Sequence, residues 1–152
     1  MFRHIQKGQT LIEALSALAI IGILLSATAV AVITSLSNAT FNQNKTLATK
    51  YAQQGSEIVR QIRDKNYTTF QGYSGSYCLG TSGAFGGGCA TPNVGNFVRT
   101  VQIQRNNGCG AANDNVIVSV TFQDSKCPAG NPYCHGVTDT SCLSITNPVQ
   151  AP

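Results

Sequence analysis

Charged residues are scarce in this sequence. They make up 11% of its 152 residues, whereas roughly a quarter of the residues in an ordinary soluble domain are charged. The net charge is +4, and no run of lysine or arginine gives the basic stripe that a nucleic-acid interface normally shows. The nearest approach, in residues 60–65, is interrupted by Asp64. This composition is typical of a secreted or extracellular protein, and we expect no nucleic-acid partner.

Cysteine is absent from the first half of the chain, and no two cysteines have the Cys-x-x-Cys spacing of a zinc site or a thioredoxin-like redox motif. The C-terminal half holds all six: Cys78, Cys89, Cys109, Cys127, Cys134 and Cys142. An even number of scattered cysteines in a glycine-rich region indicates a disulfide framework, and hence an oxidising compartment. The alternative is a set of reduced, partly buried thiols.

We expect these cysteines to form three intramolecular disulfides. Short loops are the easiest to close, because the entropy cost of closure grows with loop length. Six cysteines allow fifteen connectivities, and loop length is the only guide to the pairing. We predict Cys78–Cys89 first, and Cys134–Cys142 and Cys109–Cys127 next.

Histidine is also nearly absent, which excludes the common nucleophilic sets. Residues 9–152 contain one histidine, His135, and the other, His4, lies in the first eight residues. No Ser/His/Asp or Cys/His set can be built from a single histidine, and no pair of carboxylates lies close in sequence. The glycines form neither GxGxxG nor GxxxxGK[ST]. We therefore expect no enzymatic activity, no cofactor and no metal site.

Proline is absent before Pro92, and charge is absent from residues 14–36. As a helix, this uncharged segment would be about 35 Å long, which is enough to cross a hydrocarbon core of about 30 Å. Arg3 and Lys7 precede it and favour a cytoplasmic N-terminus. The sequence thus predicts a leader at residues 1–8, a transmembrane half-helix at residues 9–36 and an extracytoplasmic globular domain at residues 37–152.

The helical pattern continues past the uncharged segment. Apolar residues recur through residues 41–62 at spacings of three, four and seven, with polar and charged residues between them. This is the pattern of an amphipathic helix with one apolar face. Because no proline interrupts it, we predict one helix over about residues 9–66, apolar all round in its first half and one-sided in its second.

The C-terminal half has the pattern of a small sheet. Residues 97–104 and 116–123 alternate and are rich in β-branched side chains, which predicts two strands; residues 142–146 form a weaker third. Residues 71–95 are rich in glycine and indicate a surface loop, closed by the Cys78–Cys89 pair. The apolar face of the helix is the cover available to the sheet. The predicted fold class is α+β: one long N-terminal helix packed on a small antiparallel sheet, with a disulfide-rich C-terminal region.

Residues 7–25 read KGQTLIEALSALAIIGILL. This segment has a basic leader that ends in Gly8, followed by Gln9, Thr-Leu-Ile, Glu13 and a long apolar helix. That order of features resembles the N-terminal signature of type IV pilins and pseudopilins. The resemblance implies a lollipop-shaped pilin fold, cleavage by a prepilin peptidase between Gly8 and Gln9, and N-methylation of the new terminus. Gln9 stands where the family usually has phenylalanine, which puts methylation in more doubt than cleavage. Val30 lies about where the family has a helix-bending proline.

Glu13 is the most informative single residue. An ionised side chain in a membrane helix costs a few kcal/mol, so it needs a partner. Cleavage after Gly8 would create an α-amino group on Gln9, four residues earlier, and the pilin resemblance implies that Glu13 meets this group of a neighbouring subunit. Opposite charges in a low-dielectric bundle attract strongly and can fix axial register. The alternative places Glu13 at the headgroup boundary, paired with Lys7.

An ordinary secretory signal peptide is the rival interpretation of the N-terminus. Arg3 and Lys7 would form its basic region, and the Ala-x-Ala patterns within residues 27–31 would give the cut. Its apolar core would exceed the usual length of about 7–15 residues. The helical pattern also continues past the supposed cut, and a signal peptide has no use for Glu13.

The resemblance implies a structural subunit of a type IV pilus or related filament, held in the inner membrane and then assembled into an extracellular or periplasmic filament. Its partners would be the prepilin peptidase, other pilin subunits, the inner-membrane assembly platform and, before assembly, the membrane. The segments RTVQIQ, VIVSVTFQD and RQIRDKNYTTF weakly resemble minor, PilV-like subunits. A pseudopilin of type II secretion or DNA uptake is an alternative, as is a helix-anchored extracytoplasmic binding module.

Overall fold

The computed structural model describes residues 9–89, 91–105, 109–110 and 113–144. The chain divides into two compact units, Met1–Phe41 and Asn42–Pro152. Helix α1 spans Gln9–Lys65 and contributes residues to both units, so the predicted long helix is confirmed. It ends where Asn66 leaves the helical conformation (φ −149°, ψ 84°) and caps α2, Tyr67–Gln71, by accepting a hydrogen bond from the backbone N–H of Thr69.

Five strands form one sheet in the second unit. Their order is β2-β1-β3-β4-β5, and each neighbouring pair is antiparallel. The strands are β1 (Gly75–Leu79), β2 (Phe85–Gly86), β3 (Phe97–Gln104), β4 (Asn113–Phe122) and β5 (His135–Ser144). The bounds of β3 match the prediction, whereas β4 and β5 begin earlier than their sequence patterns indicated. An antiparallel sheet beneath a long helix confirms the α+β class.

The interpretation of residues 71–95 as a surface loop is wrong. This segment contributes β1 and β2 to the sheet. The partner of β1 is β3, with Tyr77 opposite Val101, so the pairing that stabilises β1 comes from a distant part of the chain. Glycine weakens a strand locally, but Tyr77 and Leu79 alternate onto the covered face of the sheet and offset that weakness.

The C-terminal part of α1 covers one face of the sheet. Val59 of the helix belongs to the same buried cluster as residues from β1, β3, β4 and β5. The members of this cluster are Val59, Phe70, Leu79, Val101, Ile103, Val116, Val118 and Leu143. About one turn earlier in the helix, Ser56 donates a hydrogen bond to the Asp139 carboxylate on β5, which ties α1 to this edge strand.

Arg99 of β3 lies on the covered face and is fully buried. Its Nε donates to Leu79 O at 2.8 Å and its Nη2 to Gly80 O at 2.8 Å. Its Nη1 donates to Tyr51 O of α1 at 3.1 Å and, more weakly, to the side chain of Gln54 at 3.4 Å. Burial lowers the pKa of the Arg99 guanidinium, and the nearby Tyr51 partly opposes this. Since buried charges need compensation, these oxygens hold the cation in place and join helix, β1 and β3.

Candidate functional site

The predicted processing point lies at the start of the described structure. Arg3, Lys7 and Gly8 fall outside the described residues, whereas Gln9 is the first residue of α1. Glu13 follows one helical turn later, at the spacing that makes two residues neighbours on a helix surface. The structure therefore places Glu13 about one helical turn after the predicted new N-terminus.

Glu13 is exposed. Ion pairs between described residues join arginine or histidine to Glu57, Asp64, Asp114 and Asp124, and none of them includes Glu13. The next charge along α1 is Lys45. Within the described part of the chain, Glu13 is thus the sole charge on α1 before Lys45.

The surface of the first part of α1 is strongly apolar. Every large aliphatic side chain in residues 11–36 is more than half exposed. They are Leu11, Ile12, Leu15, Leu18, Ile20, Ile21, Ile23, Leu24, Leu25, Val30, Val32, Ile33 and Leu36. Contiguous apolar surface of this extent marks a membrane or protein contact, because soluble monomers rarely expose it.

Several hydroxyl groups in this segment bond within the helix. Ser26 Oγ donates to Ile23 O at 2.8 Å and Thr28 Oγ1 to Leu25 O at 2.9 Å. Ser16 donates to Glu13 O at 2.8 Å in the same way. A hydroxyl that bonds a carbonyl of its own helix needs no water, so these residues do not bar the helix from lipid, where each polar group must be satisfied internally.

Among the described residues, α1 is the one helix that is long and apolar enough to cross a membrane by length and composition. Its apolar window is fully exposed, unlike the core helix of a soluble protein. Together with the uncharged segment, this is consistent with a single-pass, membrane-anchored protein.

Three disulfides close the globular unit, and all six cysteines take part. The predicted Cys78–Cys89 pair is present, but the other two predicted pairs are wrong. The structure joins Cys109 to Cys142 and Cys127 to Cys134.

The strands explain why the two predicted pairs fail. β5 extends over ten residues and separates Cys134 from Cys142 by eight residues of extended chain, or about 26 Å at 3.3 Å per residue. Cys109 and Cys127 lie beyond opposite ends of β4, which is about 33 Å long by the same measure. A disulfide requires Cα atoms within about 7 Å, and the observed Cys109–Cys142 separation is 5.6 Å.

One gathering of side chains was missed by the sequence argument, which expected no metal site. Ligand atoms of Asp124, Cys127, Cys134 and His135 all lie within 4.8 Å of one another. The sequence contains Asp-x-x-Cys and Cys-His spacings within residues 124–135, but neither by itself is the ligand spacing of a zinc site. The two spacings indicate a candidate metal site only when the pairing of β4 with β5 brings both ends of the β4–β5 connection together.

Comparison with known proteins concerns the N-terminus alone. Residues 3–29 match the prokaryotic N-terminal methylation motif. No curated protein and no solved structure matches the chain. The matched motif includes Gly8, Gln9 and Glu13, and it confirms the resemblance to the type IV pilin and pseudopilin family. The chain thus carries an N-terminal segment like that of type IV pilins and pseudopilins.

Proposed function

We propose that this chain is a structural subunit of a type IV pilus or a closely related filament. The observation that carries the proposal is the exposed apolar half of α1 with Glu13 as its sole charge before Lys45, set within a prokaryotic N-terminal methylation motif. Such a surface needs a cover. Lipid covers it before assembly, and equivalent helices of neighbouring subunits cover it afterwards.

Processing prepares the subunit for assembly. A prepilin peptidase removes residues 1–8, and the new α-amino group belongs to Gln9 at the start of α1. Before cleavage, Arg3 and Lys7 hold the N-terminus on the cytoplasmic side of the inner membrane. Residues 9–36 then span the membrane and later form the filament core, whereas residues 37–152 form the globular domain outside.

Glu13 sets the register of assembly. Its carboxylate binds the α-amino group of a neighbouring subunit, because two opposite charges attract strongly once water is excluded, and either charge alone is costly to bury. The uncharged surface around Glu13 offers no competing partner over residues 14–44. A helix sliding one turn out of register would therefore leave both charges unpaired.

A pseudopilin role is the second candidate, since pseudopilins share the matched motif. The two roles differ in where the processed subunit accumulates. In both, we propose an assembly function without catalysis, with other pilins and the inner-membrane assembly platform as partners.

The test is co-expression of the full chain with a prepilin peptidase, followed by intact-mass analysis. We expect a chain that begins at Gln9, and a Gly8→Val control that stays uncut because a branched side chain obstructs a protease site fitted to glycine. A chain beginning at Val30 or Val32 would instead identify a secretory signal peptide. Mass spectrometry of sheared filaments then separates the roles: an abundant subunit is a major pilin, a trace subunit is a minor pilin, and a processed subunit absent from filaments is a pseudopilin or an anchored module.

A further inference from the structure

The connection between β4 and β5 brings together four side chains that can bind a metal ion. Asp124 and Cys127 follow β4, and Cys134 and His135 stand at the start of β5. Their ligand atoms lie within 4.8 Å of one another, and each residue is partly buried. In the oxidised chain, Cys127 and Cys134 form a disulfide, so their sulfurs are engaged.

We propose that reduction of the Cys127–Cys134 disulfide converts this connection into a Zn²⁺ site. Its ligands are the two thiolates, one ring nitrogen of His135 and one carboxylate oxygen of Asp124. Zinc favours four such ligands in a tetrahedron, with bonds of about 2.0–2.3 Å, which places ligand atoms about 3.3–3.8 Å apart. The observed spread of 4.8 Å or less reaches that geometry with small side-chain movements.

The surrounding backbone already orients these ligands. The Cys134 N–H donates to Cys127 Sγ at 3.3 Å, and a donor aimed at sulfur favours the thiolate, the form that binds metal. The Asp124 carboxylate accepts from the backbone N–H of Lys126 at 2.7 Å and lies 3.2 Å from His135 Nε2. Side chains held in this way lose less freedom on binding an ion.

The chemistry of the switch balances with a dithiol as the reductant. The dithiol gives two electrons and two protons, breaks the Cys127–Cys134 bond, and becomes a disulfide itself, which leaves two thiols on the chain. Zinc binding then releases the two thiol protons. Reoxidation by a second disulfide, which takes two electrons from the thiolates and two protons from solvent to become a dithiol, re-forms the Cys127–Cys134 bond. It expels the ion, because disulfide sulfurs carry no charge and only Asp124 and His135 remain as ligands.

The site lies wholly within residues 113–144 and shares no residue with the motif at residues 3–29. Its test is therefore independent of the proposed filament role, and either can fail without the other. We expect the chain to bind zinc under conditions in which its thiols stay reduced, such as in the cytoplasm before export.

The experiment uses the full chain in detergent, reduced without oxygen by a phosphine, which consumes water to form its oxide and adds no competing thiol. Zinc content after dialysis and competition with a chromogenic chelator give stoichiometry and affinity, and Co²⁺ in place of zinc reports thiolate ligation by its charge-transfer absorption. We expect one Zn²⁺ per reduced chain, and at least tenfold weaker binding by the oxidised chain.

Variants distinguish this site from loose binding by any free thiols. We expect His135→Ala and Asp124→Ala each to weaken Zn²⁺ binding about tenfold or more, and the Cys127→Ser/Cys134→Ser pair to abolish it. The matched control is the Cys78→Ser/Cys89→Ser pair, which leaves affinity unchanged. The proposal is overturned if the reduced chain binds no zinc, if the oxidised chain binds it as tightly, or if affinity does not depend on His135 and Asp124. The last comparison stays decisive even where reduction loosens the fold, because an unfolded dithiol would not require those two residues.

Discussion

Gly55 of α1 lies directly over the side chain of Arg99 on β3. A Cβ added to Gly55 would stand 3.1 Å from Arg99 Cδ and 2.7 Å from Val118 Cγ1. The helix backbone thus rests on the sheet at this glycine, and the same close approach lets Arg99 reach Tyr51 O in the preceding turn. The position of the helix on the sheet depends on a small residue above a large one that donates four hydrogen bonds.

The Gly55→Ala variant should be less stable than the wild type. Alanine improves helix propensity by about 1 kcal/mol, but a Cβ at 2.7 Å from the buried Val118 forces the packing apart, at about 1–3 kcal/mol. Since Arg99 is held by its hydrogen bonds and cannot yield, we expect net destabilisation, measured by chemical denaturation. The matched control is Gly22→Ala, where nothing lies within 4 Å; equal stability of the two variants would contradict the close packing.

The Arg99→Met variant should lose about 1–3 kcal/mol of unfolding free energy. Methionine fills much of the same volume but donates no hydrogen bonds, so buried carbonyls of Leu79 and Tyr51 lose their donors. The denaturation midpoint of Arg99→Met is compared with that of Arg60→Met, whose exposed ion pair with Glu57 is worth at most about 0.5 kcal/mol. A small loss at both sites would show that Arg99 does not join helix and sheet.

The disulfides should contribute unequally to stability. The Cys109–Cys142 pair closes a sequence separation of 33 residues and the Cys127–Cys134 pair one of 7. In the chain-entropy account, the larger loop gives about 1 kcal/mol more stabilisation. Double serine variants of each pair, compared by thermal unfolding, should therefore show the greater loss for Cys109→Ser/Cys142→Ser. Peptide mapping without reduction checks the pairing, and a Cys134–Cys142 linked peptide would contradict it.

The Glu13→Ala variant should insert into the membrane at least as well as the wild type, because a costly charge is gone from the apolar segment. Cleavage after Gly8 should largely persist, but incorporation into filaments should fall about a hundredfold or more, since a neighbour's α-amino group buried without its partner costs about 3–5 kcal/mol. Glu13→Gln should be intermediate. The readout is the ratio of subunit in sheared filaments to subunit in membranes, in cells that lack the wild-type chain.

The matched control for that experiment is Ser16→Ala, one turn away, whose hydroxyl bonds only the backbone of its own helix. It should enter filaments normally. Normal incorporation of Glu13→Ala would show that α1 acts as a plain anchor and that Glu13 does not set the register.

The sequence predicted the elements whose signals are local. Helix α1 is apolar, free of proline and periodic over most of its length, so its C-terminal end could be located. The strand at residues 97–104 alternates cleanly, and this alternation puts the buried Arg99 on the same face as Phe97 and Val101. These assignments needed no knowledge of distant residues.

The elements that were missed depend on distant pairing. β1 is a glycine-flanked segment that becomes a strand only beside β3, and the first half of β5 is polar and becomes a strand only beside β4. Two of the three predicted cysteine pairs failed for the same reason, whereas Cys78–Cys89 was correct. Loop entropy favours short connections, but Cys142 is fixed at the far end of β5 from Cys134, and strand pairing decided which sulfurs could meet.

β5 is one of the two edge strands of the sheet, and an edge strand is an element readily exchanged between two copies of a chain in domain swapping. Here Cys142 on β5 is bonded to Cys109, which precedes β4. At the other end of the hairpin, the connection is closed by Cys127–Cys134. With both bonds intact, β5 cannot be donated to another copy unless β4 goes with it. Copies held at high local concentration therefore each keep their own edge strand.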